Sequence, residues 1–160
     1  MIIRHTIATD LEQLTRIEAA SYPQAEGASK ESIRNRMEAF PECFWILEEE
    51  AKILAFINGM STNEENLTDD MYDDAKKHNP VGKWQMIFSV VTDPVYCKRG
   101  YASKVMAELI GDCKNRHKSG VVLTCKEQLL PFYSKFGFVN EGISESTHGN
   151  VNWYQMRLVF

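Results

Sequence analysis

Residues Phe88 to Ile110, FSVVTDPVYCKRGYASKVMAELI, constrain this chain more than any other stretch. An apolar strand runs into Asp93-Pro94, a short polar turn carries Gly100, and an amphipathic helix follows. The first N–H groups of a helix lack intrahelical acceptors, and the helix dipole adds partial positive charge there. Such a turn is ready to hold an anion, a phosphate above all. Gly100 lets the backbone approach closely. Ala102 and Ser103 keep the helix start narrow, and Lys98, Arg99 and Lys104 add positive charge. Read alone, the same turn is also the start of an ordinary surface helix with a solvated basic face.

The segments around it predict a mixed α/β order, β-α-α-β-β-β-α-β-α-β-β. Met1 to Thr6 alternates as a first strand. Asp10 and Gln13 make a capping-box pattern before a helix with Leu11, Leu14, Ile17 and Ala20 at helical spacing, ended by Pro23. Ser29 caps a second helix with Ile33 and Met37 inward, closed by Pro41. Cys43–Glu49 and Lys52–Met60 read as a hairpin whose Glu50-Ala51 turn lacks the preferred Asn-Gly chemistry, so its type stays open. Ser61 to Gly82 is acidic, with a short helix expected over Thr68 to Lys77; so long a connection often marks a functional flap. Trp84 to Thr92 reads as one central strand, Arg99 to His117 as a helix and Val121 to Cys125 as a buried strand. QLLPFYSKFG forms a short helix with Gly137 at its end. Phe138 to Ser144 and Asn152 to Phe160 finish as strands around a Ser-Thr-His-Gly-Asn loop. No repeat or linker appears, so residues 1–160 are expected to form a single domain.

A formal net charge of −4 argues against a nucleic-acid partner, which would call for a basic face. No apolar run approaches the roughly 20 residues of a membrane span, and the N-terminus lacks a signal peptide's apolar core. The four cysteines, Cys43, Cys97, Cys113 and Cys125, are not spaced as zinc ligands, so no metal is expected. Cys43 and Cys125 lie in apolar runs and read as reduced core residues, which implies a cytoplasmic protein.

The element order and two motifs resemble the GNAT acyltransferase superfamily over nearly the whole chain. Its cofactor turn, Q/R-x-x-G-x-G/A, is matched by Cys97-Lys98-Arg99-Gly100-Tyr101-Ala102, with Cys97 replacing the usual Gln or Arg. LLPFYSKFGF, Leu129 to Phe138, resembles the late helix with its Tyr and Gly-Phe pair. Within the superfamily, FPECFWILEEEAKILAFINGM, ENLTDDMYDDAKKHNPVG and LTCKEQLLPFYSKFGF are similar to the arylalkylamine-acetylating branch. That branch has two histidines on its fourth strand to help remove the amine proton; Met86 and Phe88 stand at those positions and cannot move protons. The resemblance implies a GNAT acyl-CoA N-acyltransferase fold, with a mostly antiparallel central sheet flanked by helices. It also implies acetyl-CoA as co-substrate and a small primary amine as acceptor, in a monomer or homodimer. Transfer to a peptide or protein, or non-catalytic coenzyme A sensing, are the alternatives.

Site residues follow from that resemblance. Lys98, Arg99, Gly100, Tyr101, Ala102 and Ser103 would hold the pyrophosphate, and the backbone of Val90 and Val91 the pantetheine arm. Tyr133 would be the general acid toward the leaving thiolate, with Phe132 and Phe136 facing the core together and turning it aside. Its alternative role is a half-buried tyrosine bonded to water or a carbonyl. Tyr22 and Glu26 would meet the acceptor, with Trp45 or Met60 across the site; core packing is the default for Trp45. The general base is open among Glu26, Glu64, Glu65, His78 and His148, all in loops and each readable as a solvated surface group, or a water chain. Asp69, Asp70, Asp73 and Asp74 read as a solvated helix face whose field could favour cationic acceptors.

Overall fold

A computed structural model describes residues 1–23, 25–146 and 148–160, without the side chain of His148. The strands are β1 (Ile2–Arg4), β2 (Phe44–Glu49), β3 (Lys52–Asn58), β4 (Ser61–Thr62), β5 (Trp84–Ile87), β6 (Ser89–Thr92), β7 (Gly120–Cys125), β8 (Val139–Ile143) and β9 (Tyr154–Val159). The helices are α1 (Leu11–Ser21), α2 (Lys30–Ala39), α3 (Asp69–Asp73), α4 (Tyr101–Asn115) and α5 (Leu130–Ser134). One sheet has the order β1-β2-β3-β6 and the other β4-β5-β7-β9-β8. All pairings are antiparallel except β5 with β7.

The strand expected over Trp84–Thr92 is broken in two at Phe88, and each half joins a different sheet. β5 runs beside β7 from Trp84–Gly120 to Ile87–Leu123. Beyond Phe88, β6 stays with β3, from Asn58–Ser89 to Ala55–Thr92, and leaves β7. The N–H groups of Met86 and Phe88 donate to the carbonyls of Met60 and Asn58, both at 2.7 Å, so backbone bonding continues across the break. The close crossing requires Gly59: a Cβ there would stand 1.7 Å from the Met86 carbonyl oxygen. The two sheets therefore part like an opening book, and a cleft lies between β6 and β7.

The apolar stripes of the helices cover the sheets as their spacing predicts. Leu14, Ile17, Ile33, Met37 and Phe40 are buried from α1, α2 and the end of α2. Val105, Met106, Leu109 and Cys113 of α4 are fully buried, and α4 packs on β2 and β3. Ser29 caps α2 by accepting from the Ser32 N–H at 3.1 Å. Trp45 and Met60 belong to this core rather than to an acceptor wall; Trp45 Nε1 donates to Asp112 at 3.0 Å.

Two polar residues have different roles from those expected. Asp10 precedes α1 but its carboxylate does not cap it. The carboxylate instead takes two bonds from Arg4 at 2.8 and 2.9 Å, and others from Thr6 Oγ1 and the Ile7 N–H. A guanidinium from β1 outcompetes the helix N–H groups because its paired, charge-assisted bonds are stronger. Gln13, expected to complete the capping box, accepts from the Ile53 N–H and donates to the Ala51 carbonyl, tying α1 to the β2–β3 hairpin. That hairpin turn has positive φ at both central residues, Glu50 at 51° and Ala51 at 64°, so it is a type I′ turn built without glycine or asparagine.

Two outcomes follow for denaturant unfolding. Ala51→Gly relieves left-handed strain and raises stability by about 1 kcal/mol. Asp10→Asn removes charge-assisted bonds from a buried site and lowers stability by about 2 kcal/mol. Arg4 and its other donors hold Asp10 below the usual carboxylate range against the opposing effect of burial. The Asp10 contribution is thus present above the ordinary carboxylate pKa and is lost as pH falls through the depressed folded value.

Candidate active site

The parting of β6 from β7 forms a cavity of about 240 Å³. Its walls include Tyr22 and Glu26 from the end of α1 and the loop after it, Phe88 and Val90 from the broken strand, Thr124 from β7 and Tyr133 from α5. Three expected site residues, Tyr22, Glu26 and Tyr133, are therefore brought to one cleft with Val90.

Backbone alternation separates Val90 from Val91. The Asp93 N–H donates to the Leu54 carbonyl at 2.8 Å, which makes Phe56–Val91 and Asn58–Ser89 the hydrogen-bonded pairs of this ladder. The N–H and C=O of Val91 thus point at β3, and its side chain is buried. Those of Val90 and Thr92 point the other way. The Tyr22 hydroxyl donates to the Val90 carbonyl at 3.3 Å, and Ser21 Oγ reaches the Thr92 carbonyl at 3.4 Å. The N–H groups of Val90 and Thr92 have no backbone acceptor among the described residues, so this side of β6 is a strand edge unpaired with any other strand, and Val90 brings it to the cleft.

Tyr133 is more deeply buried than Phe132 and Phe136, the reverse of the expected order; it is 6% exposed. α5 is only one turn long, and Tyr133 packs edge-on to both Phe132 and Phe138. Its hydroxyl has no hydrogen-bond partner among the described residues, so it is free for a ligand. Burial, with Cys125 and Tyr72 nearby, pushes the phenol well above its ordinary pKa and keeps it a donor at every working pH.

At the far end of β6, Asp93 accepts from the Val95 N–H and leads into a 3-10 turn, Pro94–Tyr96. Lys98 and Gly100 then adopt left-handed backbone, φ 63° and 78°. This reversal precedes α4, whose first backbone bond to its N-cap runs from the Lys104 N–H to the Gly100 carbonyl. The N–H groups of Lys98 to Ser103 have no backbone acceptor among the described residues. Lys98, Arg99 and Lys104 are exposed around them, with Arg99 over the Tyr96 ring. Cys97 is a free, exposed thiol.

The acidic segment supplies a cleft residue that sequence reasoning missed. α3 delivers Tyr72, whose ring stacks on Phe88 at 4.6 Å and whose hydroxyl meets Thr124 Oγ1 at 3.3 Å. The Arg36 guanidinium also lies over the Phe88 ring, 4.6 Å from its centroid. The one hint was an aromatic residue inside DDMYDD, a run otherwise fit only for solvent. Lys126, also missed, pairs with Glu26 at 2.7 Å. The β8–β9 loop closes over this side, with Ser146 Oγ donating to Asp69 at 2.6 Å.

The remaining base candidates lie elsewhere. Glu64 and Glu65 are exposed and outside the cleft. His78 is not a surface residue; it is tucked under Phe40 beside Glu42, away from the cleft. The His148 side chain is outside the described residues. Glu42, Cys43 and His78 cluster closely enough to suggest a metal. However, His78 Nδ1 accepts the Ser61 N–H at 3.1 Å, which leaves the neutral ring's proton on Nε2, facing Glu42 at 3.6 Å. A nitrogen carrying that proton is no metal ligand, and the cluster reads as an anchor for the acidic segment. Among the described residues no helix is long and apolar enough to cross a membrane.

A family model described as Acetyltransferase (GNAT) family matches residues 11–138. The chain is 25% identical over 128 residues to serotonin N-acetyltransferase of Mesocricetus auratus, covering 79% of this chain and 60% of that enzyme. Its fold matches the GphF GNAT-like decarboxylase in complex with isobutyryl-CoA, with a TM-score of 0.85, 17% identity and 99% of each chain covered. It also matches the ribosomal-protein-S18-alanine N-acetyltransferase of Escherichia coli, with a TM-score of 0.73, 18% identity, and 99% of this chain and 92% of that one covered. The parted sheets, the glycine turn before α4 and the family match over most of the chain lead to one conclusion: the chain belongs to the GNAT acetyltransferase family.

Proposed function

We propose that the protein transfers an acetyl group from acetyl-CoA to a small primary amine. The observation that carries this reading is the convergence of the free β6 edge and the buried Tyr133 hydroxyl on one cleft, at the end of the strand that leads to the Gly100 turn. The N–H groups of Lys98 to Ser103 suit a pyrophosphate, and the departure at Cys97 costs little because the contacts are mainly backbone. The Val90 edge suits the amides of a pantetheine arm, which would add to β6 as a short strand. Val91, turned toward β3, contributes only packing.

The amine nitrogen attacks the thioester carbonyl, a C–N bond forms, and collapse of the tetrahedral species breaks the C–S bond. Negative charge develops on sulfur, and Tyr133 donates its hydrogen bond there. Since burial lifts the phenol above the roughly 8.5 of a thiol, stabilisation of the thiolate by that bond is the catalytic event, ahead of complete proton transfer. Among the described residues Glu26 is the one carboxylate lining the cleft, and its pairing with Lys126 suits it to orient the amine; the ammonium proton leaves through it or through water. The contact of the β8–β9 loop with α3 supports a small acceptor over an extended peptide, which would need an open groove. The four free cysteines suit the cytosol as its place of work.

Calorimetry with acetyl-CoA followed by a free-thiol assay over an amine panel tests this reading, and failure to bind any acyl-CoA defeats it. Tyr133→Phe lowers kcat by about 100-fold with little change in KM; an unchanged rate would remove Tyr133 from the mechanism. Gly100→Ala meets no side-chain clash, since nothing stands within 4 Å of the added Cβ. It strains a left-handed residue and weakens acetyl-CoA binding about tenfold in calorimetry, with the fold intact by circular dichroism.

A further inference from the structure

The acidic segment that delivers Tyr72 to the cleft is closed at its base by two hydrogen bonds. The Ser61 N–H, before the segment, donates to His78 Nδ1 at 3.1 Å, and the Asn79 N–H, after it, donates to the Ser61 carbonyl at 2.8 Å. Between these ends, Tyr72 is held at the cleft by Phe88, by Thr124 and by the Arg36 bond to its carbonyl. Of the side chains making these ties, only His78 is of a kind that gains charge between roughly pH 5 and 8.

The His78 ring is placed for an exchange of partners. Its side chain is 5% exposed and lies under Phe40. In the neutral ring Nδ1 accepts and Nε2 carries the proton. Nε2 has no hydrogen-bond partner among the described residues, and the Glu42 carboxylate stands at 3.6 Å, beyond bonding reach. A second proton would put an N–H at Nδ1, aimed at the Ser61 N–H, and that bond cannot survive. The same proton gives the ring a charge that Glu42 attracts at the opposite nitrogen. The other groups around the ring are the Cys43 thiol, Arg116 at the end of α4, Lys118 ahead of β7, and Asp74, Lys76 and Lys77 of its own segment. Burial pushes the ring below the ordinary histidine value; Glu42 opposes this, and Lys118 and Arg116 reinforce it. The tie made by the neutral ring is therefore complete above the ordinary value of about 6.5 and is lost as pH falls through the lower folded one.

We propose that His78 is a proton-operated latch: neutral, it closes the base of the acidic segment on Ser61; protonated, it turns to Glu42 and loosens the segment that holds Tyr72 at the cleft. The effect on the acceptor rests on the acetyl-transfer reading above; the latch itself does not. In the unmodified protein, NMR of the imidazole nitrogens is expected to show the Nε2–H tautomer at neutral pH. Hydrogen-exchange protection of the Ser61 amide, corrected for intrinsic rates, falls at least about tenfold from about pH 7.5 to about 5.5. His78→Asn keeps an acceptor near the Nδ1 position and takes up no proton, so its Ser61 protection stays level over that range. Glu42→Gln removes the opposing carboxylate and moves the fall to lower pH. With acetyl-CoA saturating, the rise in acceptor KM over the same interval is about threefold larger in the unmodified protein than in His78→Asn, a comparison that cancels protonation of the amine itself. An Nδ1–H tautomer, level Ser61 protection in the unmodified protein, the same fall in His78→Asn, or an equal rise in KM each overturns the proposal. Absence of acetyl transfer defeats the reading above, and the tautomer and exchange measurements on the unmodified protein still decide the latch.

Discussion

The rest of the structure depends on a constraint at Phe88, where one run of chain serves two sheets. β5 is committed to β7 by parallel pairing, and β6 is committed to β3 by antiparallel pairing. No flat ladder satisfies both, so the sheets part, and an interior strand acquires a free edge without being at the edge of the molecule. Edges normally invite unwanted pairing; this one is sheltered by Tyr22 on one side and by α5 on the other. Gly59 makes the arrangement possible, because only a residue without a Cβ lets β3 and β4 pass over Met86.

Buried charge organises the side of the cleft where α2 and α3 meet Phe88. Arg36 is 4% exposed, and burial depresses its pKa, with Glu18 the leading countervailing influence. A buried guanidinium needs its donors satisfied. Two of the Arg36 nitrogens donate, to Asn58 at the end of β3 and to the α3 backbone, and the Phe88 ring covers its face, while Nε has no hydrogen-bond partner among the described residues. Phe88 is thus the platform of a cation stack, a packing role at the point where the two sheets part.

Much of this was legible in the chain because its cause is local. Gly100 before an amphipathic helix, Ser29 as a cap, the hairpin around Glu50-Ala51 and the Phe132–Phe138 run all follow from neighbours within a few residues. The misreadings share the opposite character. Asp10 was taken by Arg4, a residue on another element, and Gln13 by the hairpin some 40 positions later. His78 is buried because the acidic segment folds back under Phe40, and nothing in its flanking residues shows that. Tyr72 went unnoticed as a cleft residue for the same reason. The break at Phe88 is itself invisible in an unbroken apolar run, since it arises from competition between two distant partners.

The free edge at Val90 and Thr92 has a thermodynamic side as well. A ladder lacking one strand is an unfinished piece of secondary structure, and a ligand that pairs with it finishes the folding of the cleft. Binding and conformational stability then share one free energy, growing as RT ln(1 + [L]/Kd) with ligand concentration. A ligand lying along β6 would therefore raise the free energy of unfolding as it fills the cleft.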